Sequence, residues 1–179
     1  MATHELAHTN SLGVTFRLIT LDDAEQLQRN CMPGATVDEI RARIPGELRA
    51  YEAGELVPLV AVLDGEVIGT ATLARRQHRL ARHIAEVGGL VVDHRYQRRG
   101  IARRLLAEVS ARAAAMGIEL LVISCRGGTT AEAVYQHLGF IEYGRLPRGI
   151  KEPSGNVFEE VFFYRPLARA AGDDVQLAR

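Results

Sequence analysis

The chain has 179 residues and a mass of 19.7 kDa, a length that suits one domain better than two. A hydrophobic fraction of 47% and a charged fraction of 25% are those of a folded globular protein, so a disordered or fibrous chain is excluded. The 22 basic and 22 acidic residues give zero net charge, and no basic excess points to a nucleic-acid partner.

The first half of the chain reads as a strand, two helices and a hairpin. Pro45 should kink or split the second helix, and Asp64-Gly65 predicts a tight turn between the two hairpin strands. The predicted elements are the strand Val14–Ile19, a helix from Thr20 to about Asn30, a helix carrying Val37, Ile40, Ile44 and Leu48, and the strands Pro58–Leu63 and Glu66–Leu73.

The second half alternates strands and helices. Gly88-Gly89, inside a strand, predicts a bulge or a close backbone approach. The predicted elements are the strand Ala85–Val92, a helix from Gly100 to Met116, the strand Glu119–Ser124, the helix Thr130–Leu138 and the strands Phe140–Tyr143 and Val157–Tyr164. The order β-α-α-β-β-β-α-β-α-β-β predicts an α/β fold with a mixed sheet, in one domain over residues 14–167 with flexible tails at 1–13 and 168–179.

Cysteine usage and hydropathy bear on the location of the protein. Cys31 and Cys125 do not form a disulfide framework, which favours a reducing compartment. No apolar run approaches the ~18 residues of a membrane span, and the first ten residues do not resemble a signal peptide. We therefore expect a cytoplasmic protein without a membrane partner.

Arginines are concentrated in one segment. Residues 75–104 contain nine arginines against the two acidic residues Glu86 and Asp93. In a neutral protein this excess suggests a single anionic ligand rather than a long polyanion. A solvated arginine-rich surface explains the same composition, and the charge alone leaves both readings open.

The most informative stretch is the loop Gln97–Ala102, which joins a predicted strand to a predicted helix. Helix N-termini present unpaired N–H groups to anions, and Gly100 lets a ligand approach the backbone closely. Arg98, Arg99 and Arg103 add charged donors suited to phosphate. The loop lacks the Gly-Lys-Ser/Thr of a P-loop and the three glycines of a Rossmann motif, so it predicts a different kind of pyrophosphate site.

The sequence resembles the GNAT superfamily of N-acetyltransferases. Gln97–Ala102 matches the family signature Gln/Arg-x-x-Gly-x-Gly/Ala, and Ala131–Phe140 resembles the family's second landmark, a helix ending in Leu-Gly-Phe. A narrower similarity, over residues 85–167, is to the tabtoxin-resistance acetyltransferase group. The resemblance implies a mostly antiparallel twisted sheet whose fourth and fifth strands splay apart.

The same resemblance implies acetyl-CoA as cosubstrate and no metal. The family often has an asparagine where this chain has Gly128. Either a hydroxyl of Thr129 or Thr130 replaces that contact, or the contact is absent. The implied cofactor contacts are the backbone of Leu90, Val91 and Val92, the loop residues Gln97, Arg98, Arg99, Gly100, Ile101, Ala102 and Arg103, and Thr130.

The resemblance also implies two catalytic residues. Tyr135 would protonate the departing thiolate, and its reference pKa of ~10, close to that of a thiol, predicts a nearly balanced transfer. Glu86 would accept the proton of the amine, directly or through water. Simple packing of Tyr135 on its helix, and a surface ion pair of Glu86 with a nearby arginine, remain as alternatives.

The expected activity is direct transfer of an acetyl group to a primary amine of a small molecule, such as an antibiotic or an amino-acid analogue. The alternatives are acetylation of a peptide or protein N-terminus, and a non-catalytic acyl-CoA-binding regulatory module. A homodimer is the commonest arrangement of soluble homo-oligomers, and the sequence leaves that state open.

Other signals predict less. His4-Glu5-Leu6-Ala7-His8 matches a zinc-protease pattern, but it lies in a polar tail without a third ligand. Cys125 could be a nucleophile with His137 or His94, but it is interpreted as a small core or site-lining residue. The family resemblance also implies that Lys151 and the predicted loop 144–156 lie near the acceptor site, which makes them candidates for contact with the acceptor.

Overall fold

The computed structural model describes residues 13–167, and within them the predicted element order is confirmed. The predicted tails, apart from Gly13, and the histidine pair of the zinc-protease pattern lie outside the described residues. No helix among residues 13–167 is long and apolar enough to cross a membrane. The elements are β1 (Thr15–Leu18), α1 (Ala24–Asn30), α2 (Val37–Glu52), β2 (Leu56–Leu63), β3 (Glu66–Arg75), β4 (Ile84–Val92), α3 (Ile101–Ala115), β5 (Leu120–Arg126), α4 (Thr130–His137), β6 (Ile141–Lys151) and β7 (Val157–Pro166).

The strands form one seven-stranded sheet in the order β1-β2-β3-β4-β5-β7-β6. Every neighbouring pair is antiparallel except β4 and β5, which are parallel because α3 connects them. The β2–β3 turn is the tight hairpin that the sequence predicts: Asp64 and Gly65 both have positive φ, +49° and +80°, as a type I′ turn requires.

The helices cover the two faces of the sheet unequally. The alternating side chains of β3 and β4, among them Leu73 and Val87, pack on one face against the apolar stripe of α3, which includes Leu105 and Val109. The opposite face is covered by α1 and α2 over β2 and β3, where Ile44 packs near Val60. Two buried cores therefore hold the sheet between helices, and α3 and α4 remain on the same side of it.

The prediction that Pro45 could split the second helix is wrong, since α2 is continuous from Val37 to Glu52. Thr36 and Glu39 form a capping box at its start, with the Thr36 N–H donating to Glu39 Oε2 at 2.7 Å. Ile40 and Ile44 are buried on the side that faces the sheet. This packing and the cap offset the hydrogen bond that a proline removes from a helix interior.

The strand predicted at Phe140–Tyr143 is much longer in the structure, where β6 runs from Ile141 to Lys151. The register shifts between Glu142 and Gly144 and again between Leu146 and Ile150, and Arg148 between the latter pair has φ +61°. These irregularities, with Pro147, hide the strand pattern in the sequence. The predicted loop 144–156 is therefore a strand followed by the turn 152–156.

Candidate active site

The sheet opens between its two parallel strands. Pairing of β4 with β5 is confined to Ile84–Glu86 and Leu120–Val122, and the strands diverge beyond that point. The resulting cleft has a volume of about 780 Å³ and is bordered by β4, the start of α3, and α4. The splayed strands implied by the family resemblance are thus confirmed. In the part of the chain that the structure describes, the remainder of β4 has no partner on its β5 side, so backbone groups there are available to a ligand.

A bulge shapes β4 where it lines the cleft. Thr72 pairs with Gly88 and Thr70 with Val91, so β4 has one more residue than β3 between these two pairs. Gly89 within it has φ +56°, a conformation that glycine adopts without strain. The bulge predicted from Gly88-Gly89 is confirmed, and Leu90, Val91 and Val92 follow it along the cleft wall.

The N-terminus of α3 points unpaired donors into the mouth of the cleft. Its first intrahelical hydrogen bond runs from Arg104 N–H to the Gly100 carbonyl at 3.1 Å, so the N–H groups of the preceding turn remain free for a ligand. Gly100 caps the helix with φ +77°, and Arg98 has φ +62°. Unpaired N–H groups, the positive end of the helix dipole and flanking arginines together favour a phosphate at this point.

The loop before α3 is held in place by a buried carboxylate. Asp93 is 1% exposed and accepts the Arg95 backbone N–H at 2.9 Å and Arg95 Nε at 3.0 Å. These bonds hold the pKa of Asp93 below its usual value, although burial acts in the opposite direction. Arg95 Nη2 reaches Glu66 Oε1 at 2.6 Å, and Glu66 Oε2 accepts the Tyr96 hydroxyl at 3.2 Å. The loop between β4 and α3, which we call the phosphate loop, is therefore attached to the start of β3.

The structure brings most of the predicted cofactor residues together. Gln97, besides lining the cleft, donates from Nε2 to the Val92 carbonyl at 2.9 Å and thereby closes the loop on the end of β4. Arg99 is the exception: it does not line the cleft, and its guanidinium carbon lies 5.5 Å from the ring centroid of Tyr96. The predicted residues that line the cleft are Leu90, Val91, Val92, Gln97, Arg98, Gly100, Ile101, Ala102, Arg103 and Thr130.

The opposite wall of the cleft is α4. Thr130 lines it, whereas the Thr129 hydroxyl donates to the Arg126 carbonyl at 2.7 Å, so Thr130 is the hydroxyl that faces the site. His137 also lines the cleft. The sequence does not predict this, because the proximity of His137 to the loop before α3 arises only in the folded structure. Its Nε2 lies 3.0 Å from Arg103 Nη2, a contact that joins α4 to the first turn of α3.

Tyr135 lies on the cleft side of α4 and packs on the core beneath it. Its ring makes an edge-on contact with Phe163, with centroids 5.8 Å apart, and a tilted contact with Phe140 at 6.1 Å. Burial, with a smaller contribution from Cys125, raises the pKa of Tyr135 to about 12. The nearly balanced proton transfer expected from the reference pKa stays a prediction, and the raised pKa makes the phenol a weaker acid than that expectation assumed. The phenol keeps its proton at ordinary pH and is a hydrogen-bond donor.

Glu86 lies on the other face of the sheet. It is exposed, while its neighbours Ala85 and Val87 are buried in the core beneath α3. Within residues 13–167 its carboxylate makes no ion pair, although arginines are abundant near it in sequence. The alternative of a surface glutamate paired with an arginine is therefore not what the structure contains.

Cys125 does not have the surroundings of a nucleophile. Burial and the nearby Glu132 carboxylate raise the pKa of its thiol, which lowers its reactivity. The histidines considered as its partners contact other residues: His137 lies against Arg103, and His94 Nδ1 lies 3.3 Å from Asp93 Oδ1. Lys151 is the exposed last residue of β6, next to the turn 152–156.

The fold has a split sheet, and the cleft at the split has the shape and the positive charge that suit an extended, anionic ligand. A family model described as the acetyltransferase (GNAT) family matches residues 21–140. The chain belongs to this family.

Solved structures share the fold at low sequence identity. A Salmonella typhimurium acetyltransferase that modifies the N-terminal serine of ribosomal protein L7/L12 has a TM-score of 0.78 at 18% identity, over 92% of this chain and 100% of that one. A ribosomal-protein-alanine N-acetyltransferase from Brucella melitensis has 0.73 at 24%, over 85% and 99%. A second Salmonella typhimurium protein, solved with its cofactor acetyl-CoA, has 0.71 at 19%, over 91% and 99%. These likenesses concern the fold.

Proposed function

We propose that this protein is an acetyl-CoA-dependent N-acetyltransferase that acts on the primary amine of a small molecule. The observation that carries the proposal is the gap between β4 and β5, with the half-buried phenol of Tyr135 on one side of the sheet and the unpaired carboxylate of Glu86 on the other. A donor bound on the α3–α4 side and an acceptor bound on the opposite side can meet only through this gap.

The cleft suits acetyl-CoA in both shape and charge. The unpaired edge of β4 can hydrogen-bond an extended pantetheine, as a neighbouring strand would. Arg98 and Arg103, with the free N–H groups of the first turn of α3, suit a pyrophosphate. Acetyl-CoA, when bound, supplies an acetyl group activated as a thioester. A backbone N–H of Leu90–Val92 would stabilise the charge that develops on the carbonyl oxygen.

The proposed residues balance the proton movements of a direct transfer. Glu86 takes the proton of the ammonium, so that the nitrogen lone pair is free to form the new bond to the acetyl carbon. Once the nitrogen–carbon bond has formed, the nitrogen loses its second proton to solvent and a neutral amide results. As the carbon–sulfur bond breaks, Tyr135 donates its phenolic proton to the sulfur. Because the pKa of Tyr135 is about 12, this transfer is completed only as negative charge builds on the sulfur. The Tyr135 phenolate then regains a proton from solvent, and Glu86 releases its proton to solvent.

Acceptors other than small amines define the main alternative. Two structures of similar fold belong to enzymes whose names specify ribosomal proteins, so a peptide N-terminus is the second candidate. A regulatory module that binds acyl-CoA without turnover is the third, and the unpaired Glu86 has no role in it. The narrower similarity to the tabtoxin-resistance group stays a prediction about the acceptor.

The test is turnover with acetyl-CoA and a panel of primary amines and short peptides, measured by thiol release and by the mass of the product. We expect a mass increase of one acetyl group on at least one small amine, with one equivalent of CoA released per product. Acetylation of peptides alone would contradict the small-molecule proposal. Saturable binding of acetyl-CoA without turnover in the whole panel would favour the regulatory module.

A further inference from the structure

The face of the sheet opposite the cleft is only partly covered. On this face α1 and α2 pack over β2 and β3, and their buried residues form the second core. In the described residues this second core reaches β4 only at Val91, and no helix covers the same face of the rest of β4 or of β5 and β7. We call this uncovered region the open face. It is lined by Glu86, Ser124, Glu160, Phe162, Tyr164 and Tyr143.

The strand register places these residues side by side. Glu86 pairs with Val122 across the short parallel ladder, and Val122 pairs with Tyr164 of β7. Two residues further along, Ser124 pairs with Phe162. Residues that alternate along a strand point to the same side, so the open face continues from Glu86 across β5 to the aromatic residues of β7.

Three aromatic rings form the far part of the open face. The Tyr143 ring centroid lies 6.0 Å from that of Phe162 and 6.0 Å from that of Tyr164, within the range of favourable aromatic contacts. Tyr143 is 55% exposed, and Phe162 and Tyr164 are half-buried. The rings therefore present apolar surface to a ligand rather than filling a core.

Two carboxylates complete the open face, and neither makes an ion pair in the described residues. Glu160 Oε1 accepts the Ser124 hydroxyl at 2.8 Å, which fixes its position, and Glu86 lies nearer the gap. The neighbouring carboxylate Glu159 lies on the opposite side of β7 and binds Arg145 at 2.9 Å. On that side Glu132, Glu142 and Glu159 share the guanidinium of Arg145. On the open face Arg126, the cross-strand neighbour of Glu160, is bound to Glu152, so Glu86 and Glu160 are left for a cation. 

Resting on the proposed function, we infer that the acceptor is a small primary amine attached to a flat apolar group, such as an arylalkylamine. The apolar group lies on Tyr143, Phe162 and Tyr164, and Glu160 attracts the ammonium while Glu86 removes its proton. Aromatic faces and carboxylates both favour an organic cation.

Two other occupants suit the open face less well. An extended peptide is usually held by main-chain hydrogen bonds to a free strand edge. Inside the gap that edge is the part of β4 that faces the cofactor cleft, and the outer edge strand beside the open face, β6, has two register irregularities that interrupt a regular ladder. A second copy of this chain seated on the open face would bury Glu86 and Glu160 of both copies in the interface. Unpaired charges buried in an interface are costly.

The test compares 2-phenylethylamine, ethylamine and an alanine tripeptide as acceptors at saturating acetyl-CoA. We expect kcat/KM for 2-phenylethylamine to exceed that for ethylamine by about 10-fold or more, because its ring buries apolar surface. Tyr143→Ala should reduce this ratio by about 5-fold and leave ethylamine unaffected. Glu160→Gln should raise the KM for 2-phenylethylamine by about 10-fold while acetyl-CoA affinity is unchanged.

Glu159→Gln is the matched control, since it removes the adjacent carboxylate on the opposite side of β7, and it should change neither value. Calorimetric binding of 2-phenylethylamine to the CoA-saturated protein reports on the open face even without turnover. Weaker binding in Glu160→Gln than in Glu159→Gln supports the inference.

Any one of three results would overturn the inference. These are equal kinetics or equal binding of the two amines, a preference for the tripeptide, and a dimer that Tyr143→Ala dissociates. Acetylation of ethylamine as efficient as that of 2-phenylethylamine contradicts this inference alone, whereas failure of acetyl-CoA to bind contradicts the proposed function.

Discussion

Glu86 and Tyr135 lie on opposite faces of one sheet, on either side of the gap where β4 and β5 separate. Glu86 alternates with the buried residues Ala85 and Val87, which face α3, and Tyr135 packs on Phe163 on that same α3 side. In the reaction that we propose, an acid and a base placed in this way would serve different reactants. Tyr135 would contact the ligand in the cleft, and Glu86 would contact a molecule that arrives from the open face.

Replacement of Tyr135 by phenylalanine tests the proposed acid. We expect kcat to fall by about 10²-fold or more, the usual contribution of a general acid. The phenol makes no hydrogen bond within the described residues, so the thermal stability and the dissociation constant of acetyl-CoA should stay near their wild-type values. Tyr51→Phe, on α2, is the control. A large loss of acetyl-CoA affinity in Tyr135→Phe would instead assign Tyr135 to cofactor binding.

Glu86→Gln tests the proposed base through its pH dependence. At neutral pH we expect kcat/KM for the amine to fall by about 10–100-fold, because the ammonium has lost its proton acceptor. The difference in kcat/KM between wild type and Glu86→Gln should become smaller as pH approaches ~10, where alkylamines lose the proton to water without a base from the protein. Initial rates across this pH range give the ratio of wild type to variant. A ratio that does not change with pH would mean that Glu86 is not the base.

Two substitutions of Gly100 test the proposed phosphate site. Comparing them separates the effect of backbone strain from the effect of a side chain that crowds the ligand. Its φ of +77° is unfavourable for a side chain, and no atom outside its immediate neighbours lies within 4 Å of the position that a Cβ would occupy. Gly100→Val should lower both stability and acetyl-CoA affinity, whereas Gly100→Asn, which tolerates this conformation better, should keep more of the stability. If Gly100→Asn binds acetyl-CoA as well as wild type does, the ligand does not approach Gly100 closely.

Asp93 gives a prediction about stability and pH. Its pKa is lower in the folded state because of hydrogen bonds from Arg95, so it contributes stability above its unfolded pKa of ~3.9. That contribution is lost as pH falls through the lowered folded pKa. Asp93→Ala should reduce the free energy of unfolding by about 2 kcal/mol at pH 7, with a smaller difference at the lowest pH.

Denaturant unfolding of wild type and Asp93→Ala at several pH values measures this difference. Asp38→Ala is the control, since Asp38 is largely exposed and its contact with Arg41 is long, at 3.7 Å. A difference between wild type and Asp93→Ala that stays constant down to the most acidic pH would show that the ionised carboxylate is not what stabilises the loop.

Local signals in the sequence predict much of this fold. Asp64-Gly65 specifies its turn, the spacing of Leu105 and Val109 specifies the buried face of α3, and Gly88-Gly89 marks the bulge, because each depends on a few adjacent residues. Pro147 and the irregular register conceal β6 for the same reason, since its pairing with β7 is a long-range property. The helix α2 continues through Pro45 because packing outweighs a local preference.

In the candidate site, too, the local motif is predictable from the sequence and the tertiary contacts are not. The phosphate loop has a motif, and the structure places nearly all of its residues at the cleft. Three other features of the site are tertiary. They are the contact of Glu66 with Arg95, the position of His137 beside Arg103, and the absence of an arginine partner for Glu86 in the described chain. No spacing rule within one segment predicts them. The open face is likewise formed by residues of four strands, β4, β5, β6 and β7, and it exists only once the sheet has assembled.

The measurement that tests the central claim most directly is a calorimetric titration of the protein with acetyl-CoA, with CoA and ATP titrated in parallel. The cleft and the unpaired edge of β4 predict saturable binding of acetyl-CoA and CoA, with one site per chain, and no comparable binding of ATP, which lacks the pantetheine arm. Absence of binding at millimolar acetyl-CoA, or equal binding of ATP, would contradict the assignment of the cleft and with it the proposed acetyl transfer.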